Sequence, residues 1–195
     1  ALGAADIQRS FRFSRASSTH LERTFGTNTS NTKKTVSFWM KRGNQGSYQT
    51  LFGTTASGYI EGRLQFTSAE ELQFVGRDAS DGTTDVNKAT NRKFRDVGAW
   101  YHIVLTLDST DSTADDRVKI YVNGVRETSF SSSTNPPSSY SFSFYRSSVA
   151  NFIGANDSSD FFDGYLTEIN FIDGQQLDPS YFGFTDSQTG IWMPK

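Results

Sequence analysis

Residues 117–130 read Arg117-Val118-Lys119-Ile120-Tyr121-Val122-Asn123-Gly124-Val125-Arg126-Glu127-Thr128-Ser129-Phe130, and their reading decides the fold class. Val118, Ile120 and Val122 fall on one side of an extended chain, and Lys119 and Tyr121 on the other. That period of two belongs to a half-buried strand. Asn123-Gly124 then supplies two consecutive residues that tolerate positive φ, as a two-residue hairpin turn requires. The stretch predicts an antiparallel hairpin, Val118–Val122 against Val125–Phe130.

The same alternation recurs on both sides of it. Ser10-Phe11-Arg12-Phe13-Ser14 places two phenylalanines on one face, and Thr35–Lys41 alternates before turning apolar on both faces. In the stretch Ala99–Asp108, Tyr101, Ile103, Leu105 and Leu107 form an apolar face, and Trp100, His102, Val104 and Thr106 a more polar one. Turn signals separate these runs at Arg42-Gly43-Asn44, Asp81-Gly82, Asp163-Gly164 and Asp173-Gly174. Residues 131–141, rich in Ser and Pro, read as an exposed loop too polar to pack. A single short helix is expected near 178–183, with Asp178 as cap and Pro179 in its first position. Many short strands and almost no helix predict an all-β fold, a two-sheet antiparallel jelly-roll sandwich.

The 195 residues suit one domain able to bury a core without staples. With no cysteine, disulfides and thiolate metal sites are ruled out. A formal net charge of −2 gives no basic footprint for nucleic acid. The short clusters Lys33-Lys34, Lys41-Arg42 and Arg92-Lys93-Arg95 read as solvated turns and edges. No apolar run is long enough for membrane insertion. The opening ALGAADIQRS has neither a signal-peptide pattern nor an initiator methionine, which reads as a processed chain or part of a longer one.

Several motifs, in order, carry a resemblance. Val36-Ser37-Phe38-Trp39-Met40-Lys41, Ala99–Asp108, Lys119-Ile120-Tyr121-Val122-Asn123-Gly124, Phe152-Ile153-Gly154 and Phe162–Ile169 together resemble the laminin-G-like, concanavalin A-like jelly rolls. The ends, Ile7–Phe13 and Phe171–Lys195, look like laminin-G-like proteins of marine and cyanobacterial tailed phages. The resemblance implies a jelly-roll domain over 1–182, with 1–9 as an extended N-terminal arm and 183–195 as a C-terminal extension. It further implies a virion-surface protein, either a tail-fibre module or a capsid-surface attachment. Its expected partners are other virion proteins, a host-surface glycan and further copies of itself. A purely architectural decoration protein is the alternative, and a glycosidase the third reading.

Glycan binding calls for aromatic platforms beside polar groups at the loop rim, and Tyr48, Tyr59, Tyr140, Tyr145 and Phe161 are the candidates. Two oxygen-rich loops, Asn156–Asp160 and Asp78–Asp85, are read either as polar turns or as calcium sites. Asn156, Asp157 and Asp160 are the named Ca²⁺ candidates, although neither loop has EF-hand spacing. No catalytic residue is assigned. His102 lacks a nucleophile partner and reads as a hydrogen-bonded sheet histidine. Glu70 and Glu71 point to opposite faces if extended, and Asp163 and Glu168 differ in parity, so no strand presents the paired carboxylates of a glycosidase.

Overall fold

The structure, a computed structural model, describes residues 7–56, 59–77 and 83–195, and at 56 and 59–61 the backbone alone. A six-stranded sheet runs in the order β1 (Phe11–Phe13), β13 (Gly164–Asp173), β3 (Lys33–Arg42), β8 (Trp100–Asp108), β9 (Val118–Val122) and β10 (Val125–Arg126). A seven-stranded sheet runs β11 (Phe130–Thr134), β7 (Thr84–Lys93), β6 (Glu71–Arg77), β5 (Tyr59–Phe66), β4 (Gln49–Ala56), β12 (Ala150–Ile153) and β2 (Leu21–Thr24). A small hairpin, β14 (Gly183–Thr185) with β15 (Trp192–Pro194), follows near the C-terminus. Neighbouring strands pair antiparallel throughout the two large sheets, which stack as a sandwich. Among the described residues, no helix is long and apolar enough to cross a membrane.

The alternating positions become the core. Phe38, Met40, Ile103, Leu105 and Ile120 from one sheet meet Phe52, Leu64, Phe66 and Phe74 from the other, all fully buried. The phenylalanines interlock, as in the edge-on pair Phe38–Phe52 at 4.7 Å and Phe74–Phe144 at 5.4 Å between ring centroids. Each such side chain contributes about 1.5–3 kcal/mol when removed from water, so this interlayer is the main source of stability.

The hairpin forms as the Asn-Gly signal predicts, with Asn123 at φ 49° and Gly124 at φ 79°. Its second strand is shorter than expected. It ends at Arg126, and Phe130–Thr134 crosses to the edge of the seven-stranded sheet, pairing with β7. Residues 131–134 are therefore an edge strand rather than part of an exposed loop. An edge strand needs only backbone pairing on one side, so its serine-rich composition is no obstacle. Farther along that segment, Pro136 and Tyr140 are buried.

The expected short helix is a 3-10 turn, Pro179–Tyr181, with Asp178 Oδ1 accepting the Ser180 N–H at 2.8 Å. A second such turn, Ala114–Asp116, was not anticipated. Two of the basic residues expected in solvent turn inward. Lys34 donates to the Tyr145 carbonyl at 2.6 Å, and Arg42 is buried against Glu70, the Phe94 carbonyl and the face of Phe66. A basic pair at a strand end cannot be separated by sequence alone from one whose partner folds in from afar.

The two outer faces differ. After β13 the chain returns across the outside of the six-stranded sheet, where Thr35 Oγ1 donates to the Gln175 carbonyl at 2.8 Å and accepts the Leu177 N–H at 2.9 Å. Trp192 continues this cover by lodging against Gly124, where any Cβ would lie 2.5 Å from the indole ring. That strap explains why Ser37, His102 and Thr106 are buried although they point away from the core.

Candidate functional site

The outer face of the seven-stranded sheet carries a different set of groups. Along β5 and β6 the core positions Leu64, Phe66, Leu72 and Phe74 alternate with Arg63, Gln65, Gln73 and Val75, which therefore face outward together. Their register fixes an amide ladder. Gln65 Nε2 donates to Gln73 Oε1 at 2.7 Å, and Gln73 Nε2 donates to Asn87 Oδ1 on β7 at 2.9 Å. Such a ladder locks three planar side chains in one orientation across three strands.

The loop after β12 walls this face on one side. Thr50 N–H donates to the Asp160 carbonyl at 2.6 Å, and Thr50 bridges Phe161 in parallel fashion. The loop closes on itself through paired Asn156 and Ser159 backbone bonds of 3.0 and 3.2 Å. It lies directly over Gly53, which pairs with Arg63, and a Cβ there would come within 2.9 Å of the Ala155 carbonyl. Glycine at 53 is what lets the wall approach the sheet.

Six buried side-chain atoms without a hydrogen-bond partner gather around this junction: Thr50 Oγ1, Arg63 Nε, Gln65 Oε1, Arg77 Nε, and both Nδ2 and Oδ1 of Asn156. Gln65 is 0 % exposed and Asn156 2 %. Leaving one such group unpaired costs about 1–3 kcal/mol, so each of these atoms calls for a partner, whether water or a ligand group. The Arg63 guanidinium is held below its ordinary pKa, first by burial and then by the neighbouring Arg77 charge, with Asp160 and Tyr48 acting in the opposite sense.

The site thus brings together three of the residues singled out from sequence, Tyr48, Asn156 and Asp160, around an arginine that was not. Tyr48 is 45 % exposed at the rim. Phe161 is half-buried in the wall, its ring 5.8 Å from that of the exposed His20. Tyr140 and Tyr145 are not platforms. Both are core residues, Tyr145 lying flat on Phe171 at 3.7 Å and donating its hydroxyl to the Phe152 carbonyl. In an aromatic-rich sandwich a tyrosine flanked by serines still packs inward when its loop plugs the end of the core. The Tyr59 side chain lies outside the described residues.

The calcium candidates Asn156, Asp157 and Asp160 sit on one short loop but differ in exposure. The Asn156 side chain is buried, Asp157 is exposed, and among the described residues no three carboxylate or imidazole side chains converge to hold a metal ion. Residues 78–82 of the other oxygen-rich loop lie outside the described residues. The carboxylates weighed for catalysis are engaged elsewhere: Glu70 with Arg42, Glu71 with Lys93 at 2.6 Å, and Asp163 with Arg12 at 2.8 Å. Glu168 is exposed at an irregularity in β13, with φ 48°, where simple parity counting fails.

A second recess lies on the opposite sheet. The three tryptophans, Trp39, Trp100 and Trp192, border a groove of about 830 Å³ between the Ile7–Ser10 segment, the β9–β10 turn and β15. His102 anchors its back. Its Nδ1 accepts the Trp192 indole N–H at 3.0 Å, its Nε2 sits 2.9 Å from Ser37 Oγ, and its ring lies 5.0 Å from that of Trp39. The histidine is a scaffold member, satisfied at both nitrogens. Trp100, 39 % exposed, offers an open ring.

Sequence alone shows that Arg63, Gln65 and Gln73 alternate with core residues and must face outward. It does not show which of two outer faces the C-terminal segment covers; they stand on the other one.

Comparison with known proteins follows the same lines. The structure is similar to the CBM40 of the Ruminococcus gnavus IT-sialidase, with TM-score 0.59 and 13 % identity over 83 % of this chain and 95 % of that one. It is also similar to the K499G mutant of NanB sialidase from Streptococcus pneumoniae, with TM-score 0.58 and 15 % identity over 91 % of this chain but 28 % of the other. Domain 4 of the Geobacillus stearothermophilus arabinanase AbnA matches at TM-score 0.47 and 19 % identity, over 78 % of this chain and 65 % of that one. At these identities the likeness is one of fold. No curated protein matches the sequence. The Laminin_G_3 family profile, described as the Concanavalin A-like lectin/glucanases superfamily, matches residues 15–177, and the chain belongs to that family.

Proposed function

We propose that this protein is a non-catalytic glycan-binding module of a tailed-phage virion, with its sugar site on the outer face of the seven-stranded sheet. The observation that carries the sugar reading is the cluster of unpartnered buried polar atoms around Arg63, Gln65 and Asn156. Sugars present dense hydroxyl donors and acceptors, and fixed planar amide and guanidinium groups match them. The ladder through Gln73 and Asn87 holds the site rigid before a ligand arrives, and Tyr48 offers a ring at the edge. The likeness to the carbohydrate-binding module of a sialidase is consistent with this. The virion assignment is supported by the resemblance of Ile7–Phe13 and Phe171–Lys195 to phage laminin-G-like proteins. Several copies on one particle would turn weak individual sites into firm attachment.

The test is a glycan array on the purified protein, repeated with Asn156→Ala and Trp100→Ala. Binding that falls at least tenfold with Asn156→Ala and persists with Trp100→Ala supports the assignment. A folded protein that binds no glycan overturns it. A second reading, attachment to another virion protein, is favoured by one observation: Trp100, Val125 and Ile191 all stay exposed around the tryptophan groove. Crosslinking on intact particles separates the two, because architectural contacts would map to that groove.

A further inference from the structure

We infer that the glycan taken by this face is an acidic sugar, whose oxyanion sits between Arg63 and Arg77. The inference rests on the reading of the face as a sugar site and names the chemical class it selects.

Arg63 lies opposite Val75 in the β5–β6 ladder, so Arg77, two residues farther along β6, projects on the same face at a diagonal position. Diagonal neighbours stand about 7–8 Å apart, a gap that two long side chains and one oxyanion can close. Among the described residues neither arginine is joined in an ion pair. Each keeps a buried Nε donor without a hydrogen-bond partner. Two like charges near one another, partly withdrawn from water, are an unfavourable arrangement by themselves, and burial and the Arg77 charge act on Arg63 accordingly.

Asp160 opposes that repulsion but does not join Arg63 in an ion pair. A bound oxyanion would relieve it, accepting the planar N–H groups in the forked geometry that guanidinium offers and ammonium does not. The remaining unpaired atoms fit the rest of a pyranose. Gln65 Oε1 can accept from a ring hydroxyl, Thr50 Oγ1 can donate or accept, and the Asn156 amide can do both at adjacent hydroxyls. An oxyanion between the arginines with hydroxyls toward the Asn156 wall describes a monosaccharide carrying a carboxylate or sulfate.

The experiment measures affinity by calorimetry at low and moderate salt for four oligosaccharides: sialylated, uronate-containing, sulfated and neutral. A carboxyl-reduced form of the best carboxylate ligand serves as control. The expected result is at least tenfold preference for one acidic class over neutral sugar, weakened by salt and lost on carboxyl reduction if that class is a carboxylate. Arg63→Gln and Arg77→Gln should each reduce acidic binding about tenfold and leave any neutral binding within twofold. Equal affinity for neutral and acidic sugars, or insensitivity to both arginine variants, overturns the acidic assignment while the sugar site stands. Binding to none of the four by a folded protein overturns both.

Discussion

Acid should loosen this protein through one histidine. His102 is 1 % exposed, and burial holds its pKa down at about 4 against an ordinary 6.5. Its hydrogen bonds define the neutral form. An indole N–H only donates, so Nδ1 must be bare to accept from Trp192, and the ring proton on Nε2 is donated to Ser37. Protonation would set a new N–H against the Trp192 N–H and weaken the strap that covers the six-stranded sheet.

The sign follows from proton counting. Between pH 6.5 and about 4 the unfolded chain binds a proton that the folded chain refuses. The contribution is therefore complete above 6.5 and is lost as pH falls toward 4. The whole interval is worth roughly 3 kcal/mol, and roughly 2.5 kcal/mol of it is lost by about pH 4.5. Carboxylates titrate over the same range, so the assay needs an internal reference. His102→Gln keeps an acceptor and a donor and cannot titrate; at neutral pH it should cost about 0–2 kcal/mol. Urea unfolding, followed by tryptophan fluorescence and far-UV circular dichroism at about pH 7.5 and 4.5, should show the natural protein losing roughly 2–3 kcal/mol more than the variant. Equal losses in the two proteins would refute the claim that a buried, neutral His102 is part of what holds the fold.

Two further expectations follow from other contacts. Glu70→Gln leaves the buried Arg42 guanidinium without its counter-charge and should cost about 3–5 kcal/mol in urea unfolding at neutral pH; a loss below about 1 kcal/mol would mean that Phe94 and Phe66 suffice to hold the arginine. Gly53→Ala sets a methyl group against the Ala155 carbonyl, so the wall of the sugar site must shift. It should lower stability by about 1–3 kcal/mol and weaken glycan binding, whereas unchanged binding would place the ligand away from that wall.

His102 shows how far parity carries. Alternation in Trp100–Asp108 puts Ile103, Leu105 and Leu107 in the core, and they are fully buried. It puts His102 on the outer face, yet nothing local tells that Trp192, ninety residues on, supplies its partner. The glycan candidates divide by the same logic. Tyr48 stays at the rim, but Tyr140 and Tyr145 follow a loop into the end of the sandwich, and the Ser139, Ser141 and Arg146 beside them give no sign of it.

Local sequence was enough for the strands around Thr35–Lys41, Trp100–Asp108 and Val118–Val122, the Asn123-Gly124 turn, the Asp178 cap and the sandwich class, because each depends on side-chain spacing and φ preference within a few residues. Which outer face is strapped shut, which basic residues turn inward and where unpaired polar atoms collect were decided only in three dimensions. Those features depend on contacts between residues far apart in the chain, from 28 positions for Arg42 with Glu70 to 140 for Thr35 with Gln175. Local spacing carries no record of them.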